Sequence, residues 1–169
     1  IESKMHSKVS VLKHGSFVGL PDNLISRKSA RKALNLDEKR QYILFFGRLK
    51  PNKRLDLMLR AMPNIDSSIH LVIAGHSGKD DFNSYQSIID ELDLSSRLVL
   101  DINYISEEKR ELYFKAADCL ALPYELIFQS GVLLMSMSYG LPVVASQIPS
   151  FEEVIEDGKN ALLFALYTS

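Results

Sequence analysis

The chain has 169 residues, 46% hydrophobic and 24% charged, with 20 basic and 21 acidic side chains giving a formal net charge of -1. That profile belongs to a soluble globular domain with a substantial core; it excludes a disordered chain and argues against a nucleic-acid binder or an acidic tail. The single cysteine, Cys119, excludes a disulfide scaffold and points to a reducing compartment, and no apolar run approaches the ~18 residues of a membrane span.

In chain order, short apolar runs rich in β-branched or aromatic residues predict strands at 8–12 (KVSVL), 42–46 (YILFF), 69–75 (IHLVIAG), 97–100 (RLVL), 119–123 (CLALP) and 142–146 (PVVAS). Helical spacing lies between most of them. Residues 53–62 place Leu55, Met58, Leu59 and Met62 on one face, and residues 84–94 group Ile88, Ile89 and Leu92. Residues 106–117 open on Ser106 as an N-cap, with Glu107 and Glu108 complementing the helix dipole. The acidic pair Glu152–Glu153, after a proline, is expected to start another helix. Continuous apolar strands are buried on both faces, so alternation with helices predicts a doubly wound, Rossmann-like parallel α/β sheet filling one domain, 1–169. In such a sheet ligands bind beyond the carboxyl ends of the strands, which confines the search for chemistry to the strand-to-helix turns.

Four turns qualify. In FFGRLKPNKRLDL (45–57), Gly47 permits a sharp turn, and Arg48 and Lys53 bring two cations to a helix start. They form either an anion site or a solvated loop edge. In AGHSGKDD (74–81) the glycines are too close together for a P-loop, and His76 is either cleft-lining or simply solvated. DINYISEEK (101–109) can present backbone groups to a nucleobase. After CLALP, Gln129, Ser130 and Gly131 open a charge-free helix; they are either an anion-binding helix start or an ordinary Ser cap. The four histidines show no metal-binding spacing, no D-x-D triplet is present, and neither G-x-S-x-G nor G-x-G-x-x-G occurs.

Taken in order, VLKHGSF (11–17), ILFFGRLKPNKRLDLMLRA (43–61), LVIAG (71–75), AADCLALPY (116–124), GVLLMSMSYGLPVVAS (131–146) and EEVIEDGKNALLF (152–164) resemble one family. It is the C-terminal, donor-binding domain of family 4 retaining glycosyltransferases of the GT-B fold. The resemblance implies a nucleotide-diphosphate sugar as donor, with no metal or other cofactor. It implies that Arg48 and Lys53 contact the diphosphate and stabilise the leaving group. Gly47 and the Gln129–Ser130–Gly131 turn would line the same site, and the loop around Asn103, Tyr104 and Ile105 would flank the base. The family commonly carries two glutamates spaced E-x7-E; here those places fall on Ile127 and Met135, with Glu125 nearby as a partial substitute. A Gln-Ser-Gly subset of the family shares that change. The acceptor, a saccharide or lipid-linked sugar, would be bound by an N-terminal domain outside this chain. The fragment alone is expected to bind donor weakly and turn over nothing. The expected location is cytoplasmic or peripheral at the inner membrane face, with no nucleic-acid partner. The competing readings are a catalytically degenerate nucleotide-sugar-binding or regulatory module and a GT-B-like phosphorylase.

Overall fold

A computed structural model describes residues 15, 25–78 and 82–166. The elements are α1 (Arg27–Ala33), β1 (Gln41–Phe46), α2 (Leu55–Ala61), β2 (Ile69–Ala74), α3 (Asn83–Glu91), β3 (Leu98–Asp101), α4 (Glu107–Ala116), β4 (Cys119–Leu122), α5 (Gly131–Ser138), β5 (Val143–Ser146), α6 (Pro149–Glu152) and β6 (Leu162–Phe164). The strand predicted at 8–12 lies outside the described residues.

The six described strands form one parallel sheet in the order β3-β2-β1-β4-β5-β6. From β1 the chain steps outward through β2 and β3, then returns to place β4 on the other side of β1. Between β1 and β4 the winding reverses, which opens a crevice at their carboxyl ends.

Alternate residues of β1 feed two cores. Tyr42, Leu44 and Phe46 join Phe114 of α4 and Leu133 of α5, whereas Phe45 packs with Leu55 and Leu59 of α2 and Ile89 of α3. Each fully buried side chain of this size contributes ~1.5–3 kcal/mol, so the period-two pattern fixes which helices cover which face. On the α2 side, cover is incomplete. Cys119, Ala121, Val144 and Phe164 line an apolar groove of about 720 Å³ beside Leu57 and Met58. Cys119 is half-buried there, and burial pushes its thiol above the ordinary value.

Two local readings change, and one helix forms that the sequence pattern does not announce. The helix expected from residue 53 starts at Leu55, because Pro51–Lys53 form a 3-10 turn and Arg54 adopts a left-handed φ of 53°. Lys53 therefore sits in a turn and not at a helix start. Glu152 and Glu153 end a short helix that Pro149 begins. Helix α1 carries no apolar stripe to announce it. It is held by the Ser26 cap and by buried Arg31, which pairs with Asp118 at 2.7 Å and donates to the Ala116 and Glu38 carbonyls.

Candidate functional site

The carboxyl ends of β1 and β2 are sewn together past the strands. The Gly47 N–H donates to the Ala74 carbonyl at 2.9 Å, and the Leu49 N–H donates to His76 at 2.9 Å. Gly47 has φ +97°, and a Cβ built on it would lie 3.2 Å from Lys53 Nζ and 3.6 Å from Val132 Cγ2. The glycine thus lets the Lys53 turn, the end of β1 and the first turn of α5 converge. Gly75, at φ +149°, presses against Gly47; a Cβ there would fall 1.9 Å from the Gly47 carbonyl oxygen. Arg48 is exposed, and its guanidinium lies over Gly78 in the loop after β2. His76 serves this region through its backbone carbonyl.

Lys53 is the unusual group. Its side chain enters the crevice and the residue is only 8% exposed. Burial, assisted by repulsion from Lys50, brings its ammonium down to about 8. Among the described residues no carboxylate pairs with it. What it does have is the face of Tyr124, with Nζ 5.0 Å from the ring centroid. A buried charge normally acquires a counter-charge, and a desolvated ammonium with no carboxylate partner has the chemistry to accept an anion.

The first turn of α5 lies against the same point. Ser130 is buried and its Oγ accepts from the Leu133 N–H at 3.2 Å, so the hydroxyl is a working N-cap. The N–H groups of Gly131 and Val132 precede the first intrahelical bond and have no intrahelical acceptor. Gln129 is exposed next to them. The anion-site and Ser-cap readings of this turn are therefore compatible: the hydroxyl caps one amide while two others remain at the helix start.

Other expected residues lie further out. Tyr104 is 81% exposed on the loop after β3. That loop is braced at its base by Asp101, which accepts from Tyr113 at 2.7 Å, pairs with Lys109 at 2.6 Å and accepts from Asn103. Glu125 is exposed and pairs with Arg54 at 3.6 Å beside the apolar groove. Its backbone N–H donates to the Asn52 carbonyl, and Asn52 Nδ2 donates to Leu126, clamping the β4–α5 loop to the Lys53 turn. Met135 is buried in the core and Ile127 packs against it, so neither faces a ligand as a polar group. Tyr124 and Asn52 were not legible as site residues in the sequence. Both lie in stretches that carry the family resemblance, at 43–61 and 116–124, but neither residue type announces a role there, and both act through neighbours that only folding supplies. Among the described residues, no three His, Cys, Asp or Glu side chains gather as a metal site.

A six-stranded parallel sheet flanked by helices, with a buried lysine near its switch point, defines a doubly wound α/β domain. The chain belongs to the glycosyl transferases group 1 family, whose model matches residues 26–169. It is 30% identical over 142 residues to the D-inositol 3-phosphate glycosyltransferase of Mycobacterium sp. (strain KMS), covering 81% of this chain and 31% of that protein. It is 27% identical over 134 residues to an uncharacterised glycosyltransferase of Methanocaldococcus jannaschii, covering 78% and 34%. The chain thus spans about a third of the length of these relatives. Among solved structures, HepE of Anabaena in complex with UDP-glucose superposes with a TM-score of 0.82 at 19% identity, over 94% of this chain and 44% of that one. Sucrose-phosphate synthase of Thermosynechococcus elongatus gives 0.79 at 22% identity, over 97% and 43%. These neighbours share the fold, which is the GT-B-like doubly wound sheet expected from the sequence.

Proposed function

We propose that this chain is the donor-binding domain of a family 4 retaining glycosyltransferase of the Gln-Ser-Gly subset, holding a nucleotide-diphosphate sugar across the carboxyl ends of β1 and β4. One observation carries the reading: Lys53, 8% exposed and unpaired with any carboxylate among the described residues, stands beside Gly47 and the first turn of α5. As the bond between sugar and phosphate breaks, negative charge grows on the β-phosphate. Lys53, Arg48 and the Gly131 and Val132 amides stabilise that charge, as preorganised donors do in a water-poor cleft, without a metal. Tyr104 flanks the base, and Gln129 and Ser130 complete the phosphate turn. Glu125 is held by Arg54, so its approach to the donor sugar requires release of that pair. The UDP-glucose bound to HepE supports a nucleotide sugar as the ligand class.

The acceptor, a saccharide or lipid-linked sugar, approaches from an N-terminal domain of the same full-length protein. The setting is the cytoplasm or the inner membrane face; among the described residues no helix is long and apolar enough to cross a membrane.

Thermal-shift titration of the two-domain protein with UDP, GDP, ADP and their sugars tests the reading. Selective stabilisation by one nucleotide, lost in Lys53→Ala and weakened in Arg48→Ala, is the expected result. No stabilisation by any of them at millimolar concentration overturns it. Binding without transfer to any acceptor assigns instead the degenerate binding module, which the apolar Ile127 and Met135 favour.

A further inference from the structure

Tyr124 directly follows the β4 end and its Pro123, and it is 1% exposed. Its backbone is pinned from two sides. The Ser146 hydroxyl donates to the Tyr124 carbonyl, and the next N–H, of Glu125, donates to Asn52 in the turn that carries Lys53. Its ring packs against Phe151 of α6, with centroids 5.7 Å apart, and offers its face to Lys53 Nζ at 5.0 Å. The phenol oxygen is buried and has no hydrogen-bond partner among the described residues. An unsatisfied buried hydroxyl is unfavourable, so the oxygen does not account for an aromatic side chain here. The ring face does.

We propose that Tyr124 is a positioning residue for Lys53: its ring holds the buried ammonium charged and aimed at the incoming diphosphate. The inference rests on the donor reading above. A carboxylate in the same place would also hold the charge, but it would neutralise the ammonium and compete with phosphate. The negative face of an aromatic ring stabilises a cation while carrying no net charge, so the attraction for an anion survives.

The charged groups around Lys53 are consistent with this division of labour. Lys50 on its own turn opposes its charge, and Arg48 stands exposed at the end of β1. Arg54 is occupied by Asp56 and Glu125. Residues 126–138, which form the facing loop and helix, contain no charged side chain. On α6, Glu152 accepts from Gln147 and Glu153 has an interaction of its own. Burial pushes the Tyr124 phenol well above its ordinary value, so it is neutral wherever Lys53 titrates.

The test follows the Lys53 Cε resonance through a pH titration of the ligand-free protein, alongside UDP affinity at pH 6, 7 and 8. The wild-type midpoint is expected near 8. Tyr124→pentafluorophenylalanine keeps the shape but reverses the ring's face, and it lowers the midpoint by about one pH unit. At pH 8 it weakens UDP binding about fivefold, a gap that narrows toward pH 6 as both proteins become fully protonated. Tyr124→Phe keeps the ring and retains the wild-type midpoint, which a merely space-filling role does not distinguish from the fluorinated ring. A midpoint unmoved or raised by the fluorinated ring overturns the proposal, as does an equal drop in Tyr124→Phe. UDP affinity unchanged by Lys53→Ala overturns the donor reading, and with it the ligand named here, whatever the midpoints do.

Discussion

Lys53 is costly to the ligand-free fold, and the sign of that cost can be followed with pH. Its folded value, about 8, lies below the ordinary 10.5, so below pH 8 both states are charged and the whole penalty is present. Between 8 and 10.5 the unfolded chain holds a proton that the folded one has released, and stability rises with pH. The full penalty is on the order of 3 kcal/mol. Lys53→Met is therefore expected to raise the unfolding free energy of the ligand-free protein at pH 7. The difference between variant and wild type should shrink as pH rises through the folded value toward 10, as read by chemical denaturation at each pH. An equal difference at all pH values would remove Lys53 from the list of buried charges. On the proposed donor reading, an arriving diphosphate offsets this cost. Tyr124 moderates that cost without cancelling the charge.

At the scale of elements, the site depends on two turns approaching more closely than side chains allow. Gly75 meets the Gly47 carbonyl where a Cβ would stand 1.9 Å away, and its φ of +149° is strained for any L side chain. Gly75→Ala must push β2 from β1 at the end where Lys53 and α5 converge. The expected loss is roughly 3 kcal/mol or more, with nucleotide affinity falling in parallel; thermal unfolding and a binding titration on one preparation check both. Gly140→Ala is the control. It also has a positive φ, +64°, but nothing lies within 4 Å of the added carbon, so only the backbone strain remains, about 1 kcal/mol. The clamp between Asn52 and the 125–126 backbone works at the same scale: it ties the loop before α5 to the Lys53 turn.

For the whole molecule, a ligand that neutralises Lys53 stabilises the folded state by mass action. A nucleoside diphosphate at 100 times its dissociation constant is expected to add about 2.7 kcal/mol to unfolding stability. At that same ligand concentration the gain should largely vanish in Lys53→Ala. It should also shrink with added salt less than an exposed ion pair would, because the ammonium is shielded from solvent. A gain that survives unchanged in Lys53→Ala places the anion elsewhere on the sheet.

The sequence by itself determined the layering. Continuous apolar strands alternating with helical spacing admit little besides a parallel sheet covered by helices, and burial energy enforces that whatever the detail. It also marked Gly47, Arg48, Lys53 and the Ser130–Gly131 turn, because glycine, paired cations and a capped helix start are local signals. It did not mark α1, whose buried Arg31 replaces an apolar stripe, or three-residue β6, which is too short for a pattern. Nor could it tell that Lys53 lies in a 3-10 turn, that Glu125 is held by Arg54, or that Tyr124 lies under Lys53. The turn is local, closed by bonds within residues 50–54, but the other two depend on residues brought together from distant parts of the chain. Desolvation and ring-face contacts exist only once β1 and β4 are neighbours, and tertiary structure alone decides that.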